Sequence, residues 1–373
     1  MNDTICIVGS GFAGLFSALQ LKLKTPSKKI IILEKNNVAG GKVTSIRVDE
    51  KTVLEMGPSV FHSNQKYMLW LIDRYKVKVV KLEKDIVENL VSIKNCKTNK
   101  NKYVKDVIDT TRMRTGNEIA YMDYAAWVAN FVLQDEADVF RVQNGYQEII
   151  DHMTKELKLL GVQFHFNIEV TSIQVFKNHT IIINVFEKPL PFLADKLIVS
   201  TSKEDLPRFV NLTFAKPFEN IVANSFSEST LRVVVKLDKP LPKNFSRDHF
   251  NHFSTFRWCL RGPRNDLLIL SYVDGDEARK RFTEAASLQH IFVRTCLNEL
   301  NLRDFAVVKI FWGEWPEAFT IIGPGNNYEY DNMHKICQNI YTTCLPAEFN
   351  QAWIEGALIS SVKCVDSILT EYN

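Results

Sequence analysis

The sequence predicts an α/β protein with a Rossmann-like nucleotide-binding domain and a second, smaller α+β domain. Three observations point there. A glycine triplet sits between a short apolar run and a helical pattern. An acidic residue closes the next apolar run. The chain has 373 residues, 46% of them apolar, which suits two closely joined domains.

The first element is the run Thr4–Val8, a short buried strand, followed by a glycine turn and a helix. The glycines are Gly9, Gly11 and Gly14, spaced G-x-G-x-x-G. Gly9 permits the tight turn out of the strand, Gly11 lets a pyrophosphate approach the backbone, and Gly14 lets helix and strand pack closely. Phe12 and Ala13 lie between them in the first helical turn, whose N–H groups would face the phosphates. A second strand, "KKIIILE", ends at Glu34, twenty residues after Gly14. An acid there accepts hydrogen bonds from a ribose, with Lys35 beside it.

Composition bounds the remaining possibilities. The net charge of +3 gives no concentrated basic face for nucleic acid, and the lysines of residues 94–105 read as a solvated loop or hairpin edge. Seven scattered cysteines without a C-x-x-C pair fit free thiols in a reducing compartment. His249 and His252 lack companion ligands in sequence, so no metal site is expected. The N-terminus lacks a basic region ahead of an apolar one, and no run approaches the roughly 18–20 apolar residues of a membrane span. A soluble, cytoplasmic protein acting on a small molecule is expected.

The segments after Glu34 narrow the cofactor. "LEKNNVAGGKVTS" places Gly40, Gly41 and basic Lys42 downstream of the acid, and "LEMGPSVFH" follows with Gly57 and Pro58. On these residues the chain resembles the flavin-containing amine oxidase superfamily, which includes protoporphyrinogen oxidases, phytoene desaturases and renalase-like proteins. The resemblance implies FAD, with a GG-basic segment and an acid-x-Gly segment at the flavin. Lys42 replaces the usual arginine, keeping charge but losing the planar fork of donors.

The middle of the chain fits the same pattern. An Asn144–Gly145 turn precedes an amphipathic helix with Ile149, Ile150, Met153, Leu157 and Leu160 at helical spacing. The resemblance places Val170 beside the adenine. "ADKLIVSTS" (194–202) reads as a strand returning to the nucleotide domain. "STLRVVVKLDKPLP" (229–242) alternates like a strand and matches the entry to the substrate domain, where many members place a lysine that holds a water at flavin N5. By register that position is Arg232, which can hold a water or polarise the flavin but cannot act as a base. As an alternative, Arg232 is a surface residue on a strand. "LLILSYVDGDEARKRF" (267–282) reads as a strand, a turn at Asp274–Gly275 and a long helix to about Leu300. Trp312, Trp315 and Phe319 either line a pocket or pack in a core or interface, the packing role being expected.

Near the end, "WIEGAL" matches the family's last helix, whose N-terminus points at the flavin pyrimidine edge. The resemblance puts Trp353 against the flavin face and Ile354 at the helix start. The acid that should precede this helix and grip the ribityl chain is missing. Thr343 takes the family's glycine position, and Cys344 and Leu345 stand where the acid belongs. Glu348 is a replacement if the alignment slips. Covalent members attach flavin to a cysteine before this helix. Cys344 lies nine residues ahead of Trp353, and attachment there is not expected.

The expected division is 1–60, 140–215 and 305–373 for the FAD-binding domain, with 61–139 and 216–304 for the substrate domain. The expected function is an FAD-dependent oxidoreductase of the amine oxidase type, with hydride transfer to flavin N5 and reoxidation by O₂. Arg232 and Trp353 are the catalytic candidates. The alternatives are a degenerate FAD- or dinucleotide-binding protein without turnover, and a desaturase- or protoporphyrinogen-oxidase-like enzyme on an apolar substrate.

Overall fold

The structure, a computed structural model, describes residues 4–82, 137–176, 180–187, 190–206, 219, 222–223, 225–245, 248–250, 254–256, 258–282, 286–322, 334–345 and 353–371. The chain opens with β1 (Thr4–Val8), α1 (Phe12–Lys24) and β2 (Lys29–Leu33). Short strands β3 (Ser45–Arg47), β4 (Val53–Glu55) and β5 (Phe61–His62) lead to α2 (Lys66–Tyr75) and β6 (Val79–Leu82). Then come β7 (Val139–Val142), α3 (Gln147–Leu159), β8 (Gln163–His165), β9 (Val170–Val175), β10 (Ile181–Val185), β11 (Phe192–Ala194) and β12 (Lys196–Val199). The second half holds β13 (Ser225–Leu237), β14 (Asp248–Phe250), β15 (Trp258–Arg261), β16 (Leu267–Asp274), α4 (Gly275–Arg279), α5 (Ala286–Glu299) and β17 (Val307–Ile322). β18 (Lys335–Cys337), β19 (Ile340–Thr342) and α6 (Ile354–Leu369) complete it.

The central sheet runs β18-β19-β12-β1-β2-β8, parallel except for β18. Side chains of a strand alternate between faces, and β1 and β2 show it directly. Ile5, Ile7, Ile30 and Ile32 enter the core shared with α1, α2, α3 and α6. Cys6, Val8, Ile31 and Leu33 enter the core under the three-stranded sheet β11-β10-β9. Burial on both faces explains why these strands read as continuous apolar runs. Each fully buried isoleucine or leucine contributes roughly 1.5–3 kcal/mol.

Helix α1 buries Phe12, Leu15, Phe16 and Leu19, the i, i+3, i+4, i+7 stripe. It stops at Thr25, whose N–H and Oγ1 both donate to Leu21 O, ahead of helix-incompatible Pro26. Helix α3 buries Ile149, Ile150, Met153 and Leu157 as expected. Leu160 does not join that face: it lies just past the helix end and is 41% exposed.

A five-stranded antiparallel sheet, β14-β15-β16-β13-β17, forms the second layer system. Leu231, Val233, Val235 and Leu237 face α5 on one side. On the other side Val234 and Phe311 meet Leu54 and Met56. Three expectations need correction here. Residues 307–322, expected with the nucleotide domain, form β17 and pair with β13 along nearly its whole length. Helix α2, expected with the substrate domain, packs Met68 and Leu71 into the core of α1 and α6. The long helix to Leu300 is two helices, α4 and α5, because tight turns closed by Arg281 N–H to Ala278 O and Phe282 N–H to Arg279 O end the first.

Candidate functional site

The turn between β1 and α1 is built from glycine backbone. Gly9 has φ +100°, and a Cβ there would lie 2.4 Å from Ser200 O. A Cβ on Gly14 would lie 2.1 Å from Gly9 O, so this glycine is needed for helix–strand approach. Gly11 differs: its backbone is extended, and a Cβ would meet only Gly41 Cα at 3.7 Å and Gly40 O at 3.8 Å. The fold therefore tolerates a side chain at Gly11, and the space in front of it is free for a ligand. No side chain caps α1 and no acid stands in its first turn, so its leading N–H groups are available to an anion.

The second glycine segment lies directly against the first. Gly40 N–H donates to Ser10 O at 3.0 Å, and Gly11 and Gly40 form a parallel bridge. Gly40 and Gly41 hold φ +146° and +60°. Lys42 follows with its side chain exposed, yet enough protein surrounds it to lower its pKa by desolvation, against the opposing pull of Glu317, Glu204 and Asp205. Gly57 seats on the same segment, since a Cβ there would lie 2.1 Å from Lys42 O. Pro58 next to it is half-buried.

Glu34 closes β2 as expected and is 4% exposed. Its Oε2 accepts the Ser10 N–H (2.9 Å) and hydroxyl (2.7 Å), and its Oε1 accepts the Asn36 N–H at 2.9 Å. Each carboxylate oxygen accepts two bonds, so Oε1 keeps acceptor capacity for a ribose. Lys35 is exposed beside it. Val170 opens β9, and its approach is fixed by the Ile168 N–H donating to Glu34 O at 2.9 Å.

Helix α6 brings the C-terminal segment to this turn. Ser361 Oγ lies 2.9 Å from Ala13 O and 2.8 Å from Ala357 O, sharing its proton between them. Trp353 precedes the helix with no side-chain cap, half-buried, its ring edge-on to His62 at 4.6 Å between centroids. Ile354 is buried at the helix start. Glu355 leaves its own helix: Oε1 and Oε2 accept the N–H groups of Tyr67 and Met68, both at 2.9 Å, and so cap α2. Burial pushes its carboxyl pKa up, partly offset by those two bonds. Phe12 meets Tyr146 edge-on at 6.2 Å beneath the turn.

The segment 343–345 departs from the expectation built on it. Leu345 is fully buried among Ile336, Ile340 and Leu206, and its carbonyl accepts Ser360 Oγ at 2.9 Å. It is a core residue, not one that faces the site. Thr343 sits near the β1–α1 turn, its Oγ1 donating at 2.9 Å to the hydroxyl of Ser200, the residue packed against Gly9 and Gly14. Burial pushes the Cys344 thiol up to about 12, which keeps it protonated and weakly nucleophilic. Glu348 lies outside the described residues.

Arg232 is not a surface residue. Its Nη1 donates to Glu55 O at 3.0 Å and Gly57 O at 2.7 Å, and its guanidinium carbon lies 5.1 Å from the Tyr272 ring centroid. Burial lowers its pKa against the pull of Tyr272, Glu55 and Tyr146, but a guanidinium remains cationic. Trp315 donates to Met56 O at 2.9 Å, and Trp312 packs edge-on to Phe292 at 5.7 Å, so both tryptophans serve packing and positioning. Sequence reasoning missed the partners of Glu355 and Trp315. The only available signal was a lone acid in a helix start and a tryptophan in a strand.

Among the described residues no helix is long and apolar enough to cross a membrane, and no three His, Cys, Asp or Glu side chains gather to hold a metal. The lysine-rich stretch 94–105 lies outside the described residues, as do His252 and the side chain of His249.

Comparisons agree with this architecture. Residues 7–75 match the NAD(P)-binding Rossmann-like domain, and residues 112–369 match the flavin containing amine oxidoreductase family. Coproporphyrinogen III oxidase of Staphylococcus aureus (strain NCTC 8325 / PS 47) is 36% identical over 89 residues, 24% of this chain and 18% of that protein. Uncharacterized protein R188 of Acanthamoeba polyphaga mimivirus is 30% identical over 93 residues, again 24% and 18%. The matched stretch thus spans less than a fifth of either relative. A protein of Exiguobacterium sp. 255-15 assigned as a protoporphyrinogen oxidase superposes with a TM-score of 0.73 at 13% identity, covering 100% of this chain and 99% of that one. Putrescine oxidase bound to putrescine gives 0.71 at 13% identity, covering 99% of each chain. At that identity the likeness is one of fold.

Proposed function

The chain belongs to the family of flavin containing amine oxidoreductases, and we propose that it is an FAD-dependent oxidoreductase of the amine oxidase type. One observation carries the reading: the uncapped N-terminus of α1 stands beside two apposed glycine segments, and Ser361, two turns into α6, ties that helix to Ala13 in the first turn of α1, 348 residues away. A positive helix end with open glycine backbone before it suits a pyrophosphate, and the packing of α6 on α1 brings the family's last helix to the same part of the fold, where an electron-accepting ring would extend from that pyrophosphate. The residues present fit the group. Gly9, Gly11, Phe12, Ala13 and Gly14 would hold the pyrophosphate, Glu34 the ribose, and Val170 the adenine. Gly40, Gly41, Lys42, Gly57, Pro58 and Ile354 would hold the ring end.

Bound FAD supplies two-electron chemistry, taking a hydride from a substrate C–H next to nitrogen and returning electrons to O₂. The chain itself would bind, orient and polarise. The N-terminus of α6 stabilises negative charge near it by about 0.3–1 kcal/mol, and more where partly buried. Trp353, edge-on to His62, would stand against the ring of the cofactor and help to exclude water from it. Free thiols among the described cysteines, such as Cys6, Cys259 and Cys364, suit a reducing compartment, and the cytoplasm is the proposed location.

A second reading is an FAD-binding protein without turnover. It is favoured by the commitment of Arg232 Nη1 to backbone carbonyls, which leaves that nitrogen no hydrogen for a water at the flavin. Anaerobic mixing of the FAD-loaded protein with diamines, polyamines and aromatic amines separates the two. Bleaching of the flavin bands supports the oxidase. No bleaching by any amine, nor by a porphyrinogen, supports the binding protein. Bleaching by a porphyrinogen alone points to an apolar tetrapyrrole substrate.

A further inference from the structure

Three successive backbone carbonyls, those of Glu55, Met56 and Gly57, are each held by a side chain of the five-stranded sheet. Arg232 Nη1 takes the first and third, and Trp315 Nε1 takes the second. The two donors stand on adjacent strands, Arg232 opposite Gly313 and Trp315 opposite Thr230. Gly313 lies against Met56, where a Cβ would come within 2.9 Å of the methionine's terminal methyl. The other side of the turn is held by the nucleotide-binding part. Glu55 Oε1 accepts Ser45 Oγ and the Tyr146 N–H, each at 2.7 Å, and a Cβ on Gly145 would lie 2.7 Å from that oxygen.

The charges form one unit. Burial pushes the half-buried Glu55 carboxyl up, the Ser45 hydroxyl and Tyr146 N–H pull it back, and the Arg232 guanidinium adds a smaller pull in the same direction, with Tyr146 within electrostatic reach of both. Arg232 Nε, Glu55 Oε2 and Tyr146 Oη are buried with no protein partner among the described residues. Removing the guanidinium would take away its two carbonyl bonds and its smaller electrostatic support of Glu55, leaving the Ser45 and Tyr146 bonds in place. Both N–H bonds of Nη1 are spent on carbonyls, so that nitrogen has none left to direct at a water.

We propose that Arg232 is a positioning residue that fixes the Glu55–Pro58 turn from the substrate-side sheet, rather than the cation that holds a water at the flavin. The proposal rests on the reading above that this turn faces the flavin. It makes the sheet that would carry the substrate a direct determinant of where the ring end of FAD is seated.

The test uses the full chain and its variants Arg232→Met, Arg232→Lys and Trp315→Phe. Hydrogen–deuterium exchange is followed in peptides covering residues 53–60, with FAD affinity and the positions of the flavin absorbance maxima as further readouts. Loss of two buried hydrogen bonds is expected to speed exchange in R232M about tenfold or more and to weaken FAD binding about tenfold. Its absorbance maxima should shift. R232K should restore most of each effect, because one nitrogen makes both bonds. W315F should act in the same direction, less than additively with R232M, since both hold one turn. Should R232M fail to fold, the W315F and R232K exchange patterns decide the matter. Wild-type exchange, affinity and spectrum in R232M, with only flavin reduction slowed, would overturn the proposal in favour of water holding. Faster exchange in R232M from a wild-type protein that binds no FAD would uphold the clamp and overturn the flavin reading.

Discussion

The carboxylate of Glu355, on the last helix, accepts the backbone N–H of Met68 at 2.9 Å and so caps a helix 287 residues earlier in the chain. The neighbouring Tyr67 N–H binds its other oxygen. Glu355→Ala leaves two amides at a mostly buried helix start without acceptors. A loss of about 2 kcal/mol is predicted, with Glu355→Gln intermediate because it keeps one acceptor. Chemical denaturation of the three proteins measures it. Equal midpoints for wild type and Glu355→Ala would show that the cap contributes nothing.

The glycine triplet predicts opposite outcomes at two positions. Gly11→Ala should leave stability within about 0.5 kcal/mol of wild type while weakening FAD binding about a hundredfold, because its Cβ meets ligand space and not protein. Gly14→Ala should destabilise by more than about 2 kcal/mol, because its Cβ runs into Gly9 O. Thermal unfolding with and without FAD reads both. A Gly11→Ala protein that binds FAD normally would contradict the phosphate-turn assignment.

Leu345→Asp is not a repair of the missing ribityl acid. The side chain is fully buried among aliphatic neighbours, so an aspartate there would be an unpaired charge costing several kcal/mol. Loss of soluble protein, or a fall in Tm of 10 °C or so, is the expected result. Improved FAD affinity with unchanged Tm would mean that this segment turns toward the site.

Glu371 sets an acid limit. Burial raises its carboxyl, but hydrogen bonds from Lys196, Lys335 and Tyr341 outweigh that and bring it down to about 2. Lys196 Nζ lies at 2.5 Å and Lys335 Nζ at 2.6 Å. A carboxylate depressed in the folded state stabilises above its unfolded value, near 4.3, and loses that contribution as pH falls through about 2. Glu371→Gln should therefore lower Tm at pH 7, with the gap closing between about pH 4 and pH 2. A pH-independent gap would assign the effect to packing.

Much of the nucleotide-binding half was legible because it depends on local rules. Ile5, Ile7, Ile30 and Ile32 alternate with Cys6, Val8, Ile31 and Leu33, and Gly9, Gly11 and Gly14 punctuate the turn, so strand, turn and helix follow from neighbouring residues. What was not legible depends on residues far apart in sequence. Arg232 meets Glu55 and Gly57 across 177 and 175 positions, and Trp315 meets Met56 across 259. No periodicity encodes such a contact. Leu345 shows the complementary error: alignment assigned it a ligand position, whereas its aliphatic side chain, three residues past a buried strand, goes to the core.

The visible absorption spectrum of the 373-residue protein, as purified and after incubation with FAD and desalting, tests the central claim most directly. The account predicts flavin bands that stay with the protein and are lost in Gly11→Val. A protein that remains colourless after reconstitution, or a Gly11→Val variant that keeps the bands, would contradict it.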